Sequence, residues 1–185
     1  MGNGKLFVIS GASGVGKSTV LSKVMAARQD LTFSVSATTR DPRPGEQDGV
    51  HYYFVSHDTF RQMIEQDAFV EYDAHMKNSY GTPKAQLEEK LSRSNVVLDI
   101  EPNGAFQVQA KRPDAVLIFI APPSLEELER RLRGRGDTDE EQMRVRLERA
   151  HWEMEQSKKY DHIVINDQVV ACADEILKII AHEAD

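Results

Sequence analysis

Lys5-Leu-Phe-Val-Ile-Ser10-Gly11-Ala12-Ser13-Gly14-Val15-Gly16-Lys17-Ser18-Thr19 decides how the chain is read. Its first half is an unbroken apolar run without polar alternation, the pattern of a strand buried on both faces. The second half fits G-x-x-x-x-G-K-[ST], and Val20, Leu21 and Val24 then stripe an expected helix from Lys17 to about Arg28. Strand, glycine-rich loop and helix in that order form a phosphate cradle. The glycines let successive backbone N–H groups face one anion, and the helix N-terminus adds about half a positive charge. Gly11 through Thr19 would wrap the phosphates of a nucleotide, with Lys17 reaching the β- and γ-phosphates and the Ser18 hydroxyl a Mg²⁺ ligand, a loop that GTPases, ATPase motors and small-molecule kinases share.

Outward from this loop, the apolar runs Asn95–Ile100, Ala115–Ile120 and His162–Ile165 alternate with helical patterns at Lys84–Leu91, Phe106–Lys111 and after Val170. Such alternation predicts an α/β fold, a parallel-sheet core flanked by helices. Two stretches break it. Residues 34–82 show short strands (Phe33–Ala37, Val50–Val55, Phe69–Ala74), Pro and Gly turns and one helix near Thr59–Glu65, an antiparallel-looking insert. Residues 124–157 are helical, with Ser124-Leu-Glu-Glu127 and Thr138-Asp-Glu-Glu141 both fitting the capping box. The expected organisation is a core of 1–33, 83–123 and 158–185, a β-rich insert at 34–82 and a helical insert at 124–157. At 185 residues with 40% apolar composition, this is one globular unit with a real core. A net charge of −7 argues against a general nucleic-acid binder. The single cysteine excludes an internal disulfide framework, the histidines show no metal spacing, and the apolar runs are too short to span a bilayer. A cytoplasmic protein with no membrane and no obligatory protein partner is expected.

The insert carries the chemistry that names an acceptor. Arg40 and Arg43 stand three residues apart in a Pro/Gly-held loop, and Tyr52, Glu71 and Tyr80 fall on neighbouring expected strands. Guanidinium forks suit phosphate oxygens, and tyrosine hydroxyls can complete the shell. An inward Glu71 needs a partner. A guanine edge offers N1–H and the N2 amino group as parallel donors that one carboxylate accepts together, while Thr82 or Ser36 could donate to O6. Adenine would set an acceptor against Glu71 instead, at a cost of about 1–3 kcal/mol.

With these pieces in hand the chain resembles the guanylate kinase family over essentially its whole length. The resemblance rests on Gly11–Thr19, Ser34–Glu46, Tyr80-Gly81-Thr82, Ile118–Ser124, Arg131–Gly136, Tyr160-Asp161 and Val164–Asp167. It implies an ATP:GMP phosphotransferase with Mg²⁺ as cofactor, GMP or dGMP as acceptor, a β-rich GMP-binding insert and a helical lid. It further implies that Arg40, Arg43, Tyr52 and Tyr80 hold the GMP phosphate, that Glu46 orients the arginines, and that Ser36, Glu71 and Thr82 read the guanine. Asp99 would sit near Mg²⁺ and the acceptor phosphate, and Asn166 near the adenine.

Residues 124–157 hold seven arginines against ten acids, four of the arginines within residues 130–135. Phosphoryl transfer is largely positioning and charge stabilisation, so a helical flap of arginines closing over ATP would serve it. The resemblance singles out Arg131, Arg135 and Arg146 as phosphate-contacting, beside Lys17. Arg130, Arg133, Arg144 and Arg149 read as surface, and Trp152 and Met154 as packing of the lid helix. The chain departs from the family's usual pattern at Lys77, Ser79 and Glu101-Pro-Asn103-Gly104. A sugar-phosphate kinase with this loop would leave Ser36, Glu71 and Thr82 unexplained. A phosphopeptide-binding module of guanylate-kinase type would have no use for an intact Lys17 and Ser18.

Overall fold

The computed structural model describes residues 4–75, 77–134 and 140–184. β1 (Leu6–Gly11) lies at the centre of a five-stranded sheet, with β2 (Leu31–Phe33), β7 (Asn95–Asp99), β8 (Val116–Ala121) and β9 (His162–Ile165) in the order β2-β7-β1-β8-β9. Every pairing in this sheet is parallel. The unbroken apolar runs have their reason here, since Leu6 to Ile9 and Leu117 to Ile120 are all fully buried between helices on both faces. Those helices are α1 (Lys17–Ala27), α3 (Lys84–Leu91), α4 (Pro102–Lys111) and α7 (Val169–Ala184). In parallel sheets of this kind ligands bind beyond the carboxyl ends of the strands, and the phosphate loop emerges from that end of β1.

The second sheet is four-stranded, with β4 (Tyr53–Phe54), β3 (Ala37–Thr38), β6 (Asn78–Pro83) and β5 (Phe69–His75) in the order β4-β3-β6-β5. It is mixed rather than antiparallel throughout, because β3 and β4 run parallel. Its small core gathers Ala37, Phe60 and Phe69, with Phe60 supplied by α2 (His57–Glu65). The expected strand at Phe33–Ala37 is divided between the two sheets. Ser34 N–H still donates to Val97 O (3.0 Å), continuing the core ladder, before the chain crosses over and pairs Ala37 with Gly81. The expected strand at Val50–Val55 shrinks to two residues, because Gly49 turns at φ +74° and leaves Val50 exposed.

α4 starts four residues before the expected position, since Pro102 occupies the first helical turn, where its missing N–H costs nothing. The rest of the helix fixes the second sheet against the core. The Gln107 side chain bonds both the N–H and the C=O of Tyr72 (3.2 and 2.9 Å), and Lys111 Nζ donates to Phe69 O (3.0 Å). α5 (Leu125–Arg133) opens as its sequence dictates, with Glu127 N–H donating to Ser124 Oγ (3.1 Å). The second capping box, at Thr138, and Arg135 lie outside the described residues. α6 (Glu140–Gln156) follows; Met154 packs against the core, but Trp152 is exposed rather than packed. No helix among the described residues is long and apolar enough to cross a membrane.

Candidate active site

The loop between β1 and α1 is held in a shape that only glycine adopts readily. Gly14 and Gly16 have φ of +85° and +93°. A Cβ on Gly14 would also lie 2.4 Å from Leu132, so α5 packs directly on the loop. From behind, Asn166 braces it, donating its side-chain amide to Val15 O (2.8 Å) and its backbone N–H to Ala121 O (2.8 Å). Asn166 is 2% exposed, and its Oδ1 has no partner among the described residues.

Two cavities adjoin at the ends of the core strands. One, of about 360 Å³, is walled by Gly11 to Gly14, Gly16 to Thr19, Glu101, Arg149 and Glu153. The other, of about 290 Å³, is lined by Lys17, Ser36, Tyr52, Glu71, Asp73, Tyr80, Asp99, Ile100, Glu101 and Gly104. Lys17 and Glu101 belong to both, which makes them the common wall. The Lys17 ammonium is paired with Asp99, at the end of β7.

The second cavity brings together most of the expected acceptor residues. Glu71 is 4% exposed and accepts a 2.5 Å hydrogen bond from the fully buried Thr82 hydroxyl. Thr82 thus spends its one donor on Glu71, while the Ser36 side chain also lines the cavity. Burial drives the Glu71 carboxyl above its usual range, against the Thr82 bonds that pull it down. Gly104 matters for this carboxylate, because a Cβ there would stand 2.7 Å from Glu71 Oε2. Tyr52 and Tyr80 meet edge to face with 6.2 Å between ring centres, and burial first, then Tyr80, pushes the Tyr52 hydroxyl up. The Arg40 guanidinium lies over the Tyr52 ring at 5.4 Å.

Glu46 organises the arginine loop. It accepts two guanidinium bonds from Arg40 (3.0 and 2.9 Å) and the backbone N–H of Arg43 (2.7 Å). The Arg40 bonds, then the Arg43 N–H, hold the Glu46 carboxyl at about 2. The orienting role expected of Glu46 therefore reaches one arginine by its side chain and the other by its main chain, while the Arg43 side chain is exposed.

Among the expected lid arginines, Arg131 lines neither cavity. It donates to Glu127 Oε1 (2.7 Å) and to the Asn166 and Asp167 carbonyls (2.9 and 3.5 Å). Arg146 is half-buried on α6 and is not in either wall. Arg149 reverses its sequence reading as a surface residue. It lines the phosphate-loop cavity, donates to Glu153 (3.0 Å) and pairs with Glu101. Glu153, 2% exposed, in turn accepts the Ser13 N–H (2.7 Å). Sequence reasoning missed Glu153, whose signal was a four-residue spacing from Arg149 on one helix face. It also missed Asp73, two residues beyond Glu71 and therefore on the same face of β5.

A parallel α/β sheet whose first strand feeds a glycine-rich loop ending in Gly-Lys-Ser, with a second cavity across the lysine, defines a phosphate-loop protein. Comparison with known proteins narrows the class. The guanylate kinase family profile matches residues 3–183. A guanylate kinase of Thermus thermophilus is 49% identical over 97% of this chain and 82% of its own length. That of Trichodesmium erythraeum is 45% identical over 98% of both. The crystal structure of guanylate kinase from Anaplasma phagocytophilum superposes with a TM-score of 0.78 at 32% identity, over 99% of this chain and 87% of the other. The chain belongs to the guanylate kinase family.

Proposed function

We propose that the protein transfers the γ-phosphoryl group of ATP to GMP or dGMP, yielding ADP and GDP or dGDP. One observation carries the reading: the phosphate-loop cavity and the cavity holding Glu71, Tyr52 and Tyr80 share Lys17 as a wall. A donor phosphate chain in the first and an acceptor phosphate in the second would meet at that lysine.

The loop N–H groups and Lys17 bind the donor phosphates, with Lys17 exchanging Asp99 for a phosphate oxygen. Glu71 accepts guanine N1–H and N2–H, and Ser36 offers a hydroxyl to the base or phosphate. Tyr52, Tyr80, Arg40 and Arg43 take the acceptor phosphate, Glu46 holding the arginine loop. An acceptor phosphate oxygen forms its bond to the γ-phosphorus in line as the bond to the ADP oxygen breaks, so no side-chain nucleophile is needed. Arg131, Arg146 and Arg135 are assigned to the transferring phosphates by family resemblance, and Arg131 must first release the Asn166 carbonyl.

The described residues hold no cluster of three or more His, Cys, Asp or Glu able to cage a metal. That suits Mg²⁺, which is commonly held by few protein groups and mainly by nucleotide phosphates. Ser18 would hold it with Asp99 close by, and its chemistry when bound is to neutralise charge on the phosphates.

A coupled ADP-release assay with GMP, dGMP, AMP and no acceptor tests the proposal. Turnover with GMP and dGMP, and far less with AMP, is expected; acceptor-independent turnover or equal rates with AMP would overturn it. Lys17→Ala should abolish turnover while leaving the circular dichroism spectrum and melting temperature near those of the parent.

A further inference from the structure

We propose that Asp73 determines sugar specificity, its carboxylate accepting a hydrogen bond from a ribose hydroxyl of the acceptor nucleotide. The inference rests on the acceptor reading above and extends it to a part of the substrate that no residue discussed so far touches.

The register of β5 against β6 lays two rungs across the acceptor cavity. Glu71 stands opposite Thr82, and Asp73 opposite Tyr80. Side chains two apart on a strand share a face at a spacing of roughly 7 Å, and both carboxylates line the cavity. The first rung is the base-reading one, a buried carboxylate steadied by Thr82. The second rung leads to the phosphate end, because the long Tyr80 phenol extends to Tyr52, under the Arg40 guanidinium. A nucleoside monophosphate laid from the first group to the second has its sugar between them. Asp73 shares the second rung but has a short side chain, so its carboxylate stays near the strand at the level of the sugar.

Its chemistry narrows the contact further. An ionised carboxylate only accepts, and between base and phosphate the only donors of the nucleotide are sugar hydroxyls. Asp73 Oδ1 already accepts the Ala74 N–H (2.8 Å), which steadies the carboxyl group and leaves it further acceptor capacity. Two other roles fail on the same geometry. Contact with the acceptor phosphate would oppose like charges, and the paired guanine donors are already matched by Glu71. The Asp73 charge also contributes to raising Glu71, which places the two carboxylates within one electrostatic neighbourhood.

The test measures kcat/KM for GMP, 2′-deoxy-GMP and 3′-deoxy-GMP in the parent, Asp73→Ala and Asp73→Asn, with AMP as a control on base reading and melting temperature as a control on folding. A hydrogen bond to a charged acceptor predicts a parent preference for GMP over at least one deoxy analogue of roughly 10- to 100-fold, expressed mainly in KM. Asp73→Ala should bring that preference to within about twofold while still rejecting AMP, and Asp73→Asn, which keeps an oxygen acceptor without the charge, should fall between. Equal kcat/KM for GMP and both analogues in the parent, or an undiminished preference in Asp73→Ala, would overturn the assignment of Asp73 alone. A parent that fails to phosphorylate GMP at all would overturn the activity and this contact together.

Discussion

Glu71→Gln keeps the shape of the side chain and removes one acceptor and one charge, so it separates base reading from packing. In the parent, Oε1 takes the Thr82 hydroxyl and Oε2 faces the cavity across Gly104. With Thr82 bonded to the glutamine oxygen, the amide NH₂ is left facing guanine N1–H, donor against donor. Losing a hydrogen bond to a charged acceptor costs about 1.5–3 kcal/mol, and stranding a buried donor another 1–3. At 1.36 kcal/mol per tenfold, the KM for GMP should rise by at least about 70-fold. AMP, whose N1 accepts, should gain rather than lose, so the GMP-to-AMP preference collapses from both sides. Stability should move the other way. Burial raises the Glu71 carboxyl, so its ionised form at neutral pH opposes folding, and the neutral glutamine removes that cost. Steady-state kinetics with both acceptors and a thermal melt read the two effects. An unchanged KM for GMP would remove Glu71 from the base site, and a melting temperature that falls along with affinity would make its role structural.

The remaining predictions follow from neighbouring contacts. Gly104→Ala places a methyl group 2.7 Å from Glu71 Oε2, so the KM for GMP should rise several-fold with little change in melting temperature. The KM for GMP should also rise as pH falls through the elevated Glu71 pKa, above the ordinary 4.5, because only the ionised carboxylate accepts both guanine donors. The same pH series on Glu71→Gln should show only the titration of GMP itself. Arg149→Ala leaves the buried Glu153 carboxylate without its cation and should lower the melting temperature by several degrees, at roughly 2–4 °C per kcal/mol for a chain of this size. Adding Glu153→Gln should restore part of that loss, and a purely additive double variant in differential scanning calorimetry would refute the coupling.

How far the sequence could be read depended on how local each signal was. β1, the loop and α1 were legible because the run Leu6 to Ser10, the glycines and Lys17 are contiguous and each has one structural meaning. The acceptor side chains were legible by chemical type, and Ser36, Tyr52, Glu71 and Tyr80 do line one cavity. The path of residues 31–38 was not, because one β-rich run serves two sheets and the crossing at Ser34 depends on Val97, distant in sequence. Arg149 was misread for the same reason. Its i,i+4 spacing to Glu153 is also that of an ordinary solvated helix pair, and only the placement of α6 over the phosphate loop makes it a wall of the site.

That placement also bears on how an acidic chain would hold the anionic substrates proposed for it. In the structure, several positive elements of the site are partnered by the protein's own carboxylates. Lys17 holds Asp99, Arg149 holds Glu101 and Glu153, and the Ser13 N–H of the phosphate loop holds Glu153. These pairs keep the cationic groups extended and desolvated in part, so a phosphate of the proposed substrates would replace a carboxylate rather than a full water shell. The net gain on binding is then a difference between two ion pairs, smaller than either alone. Phosphates carry more charge and more acceptor oxygens than a carboxylate, which gives them the advantage at each exchange. On the proposed reading, the net charge of −7 would not oppose nucleotide binding, because some of the acids would be the partners that phosphate displaces.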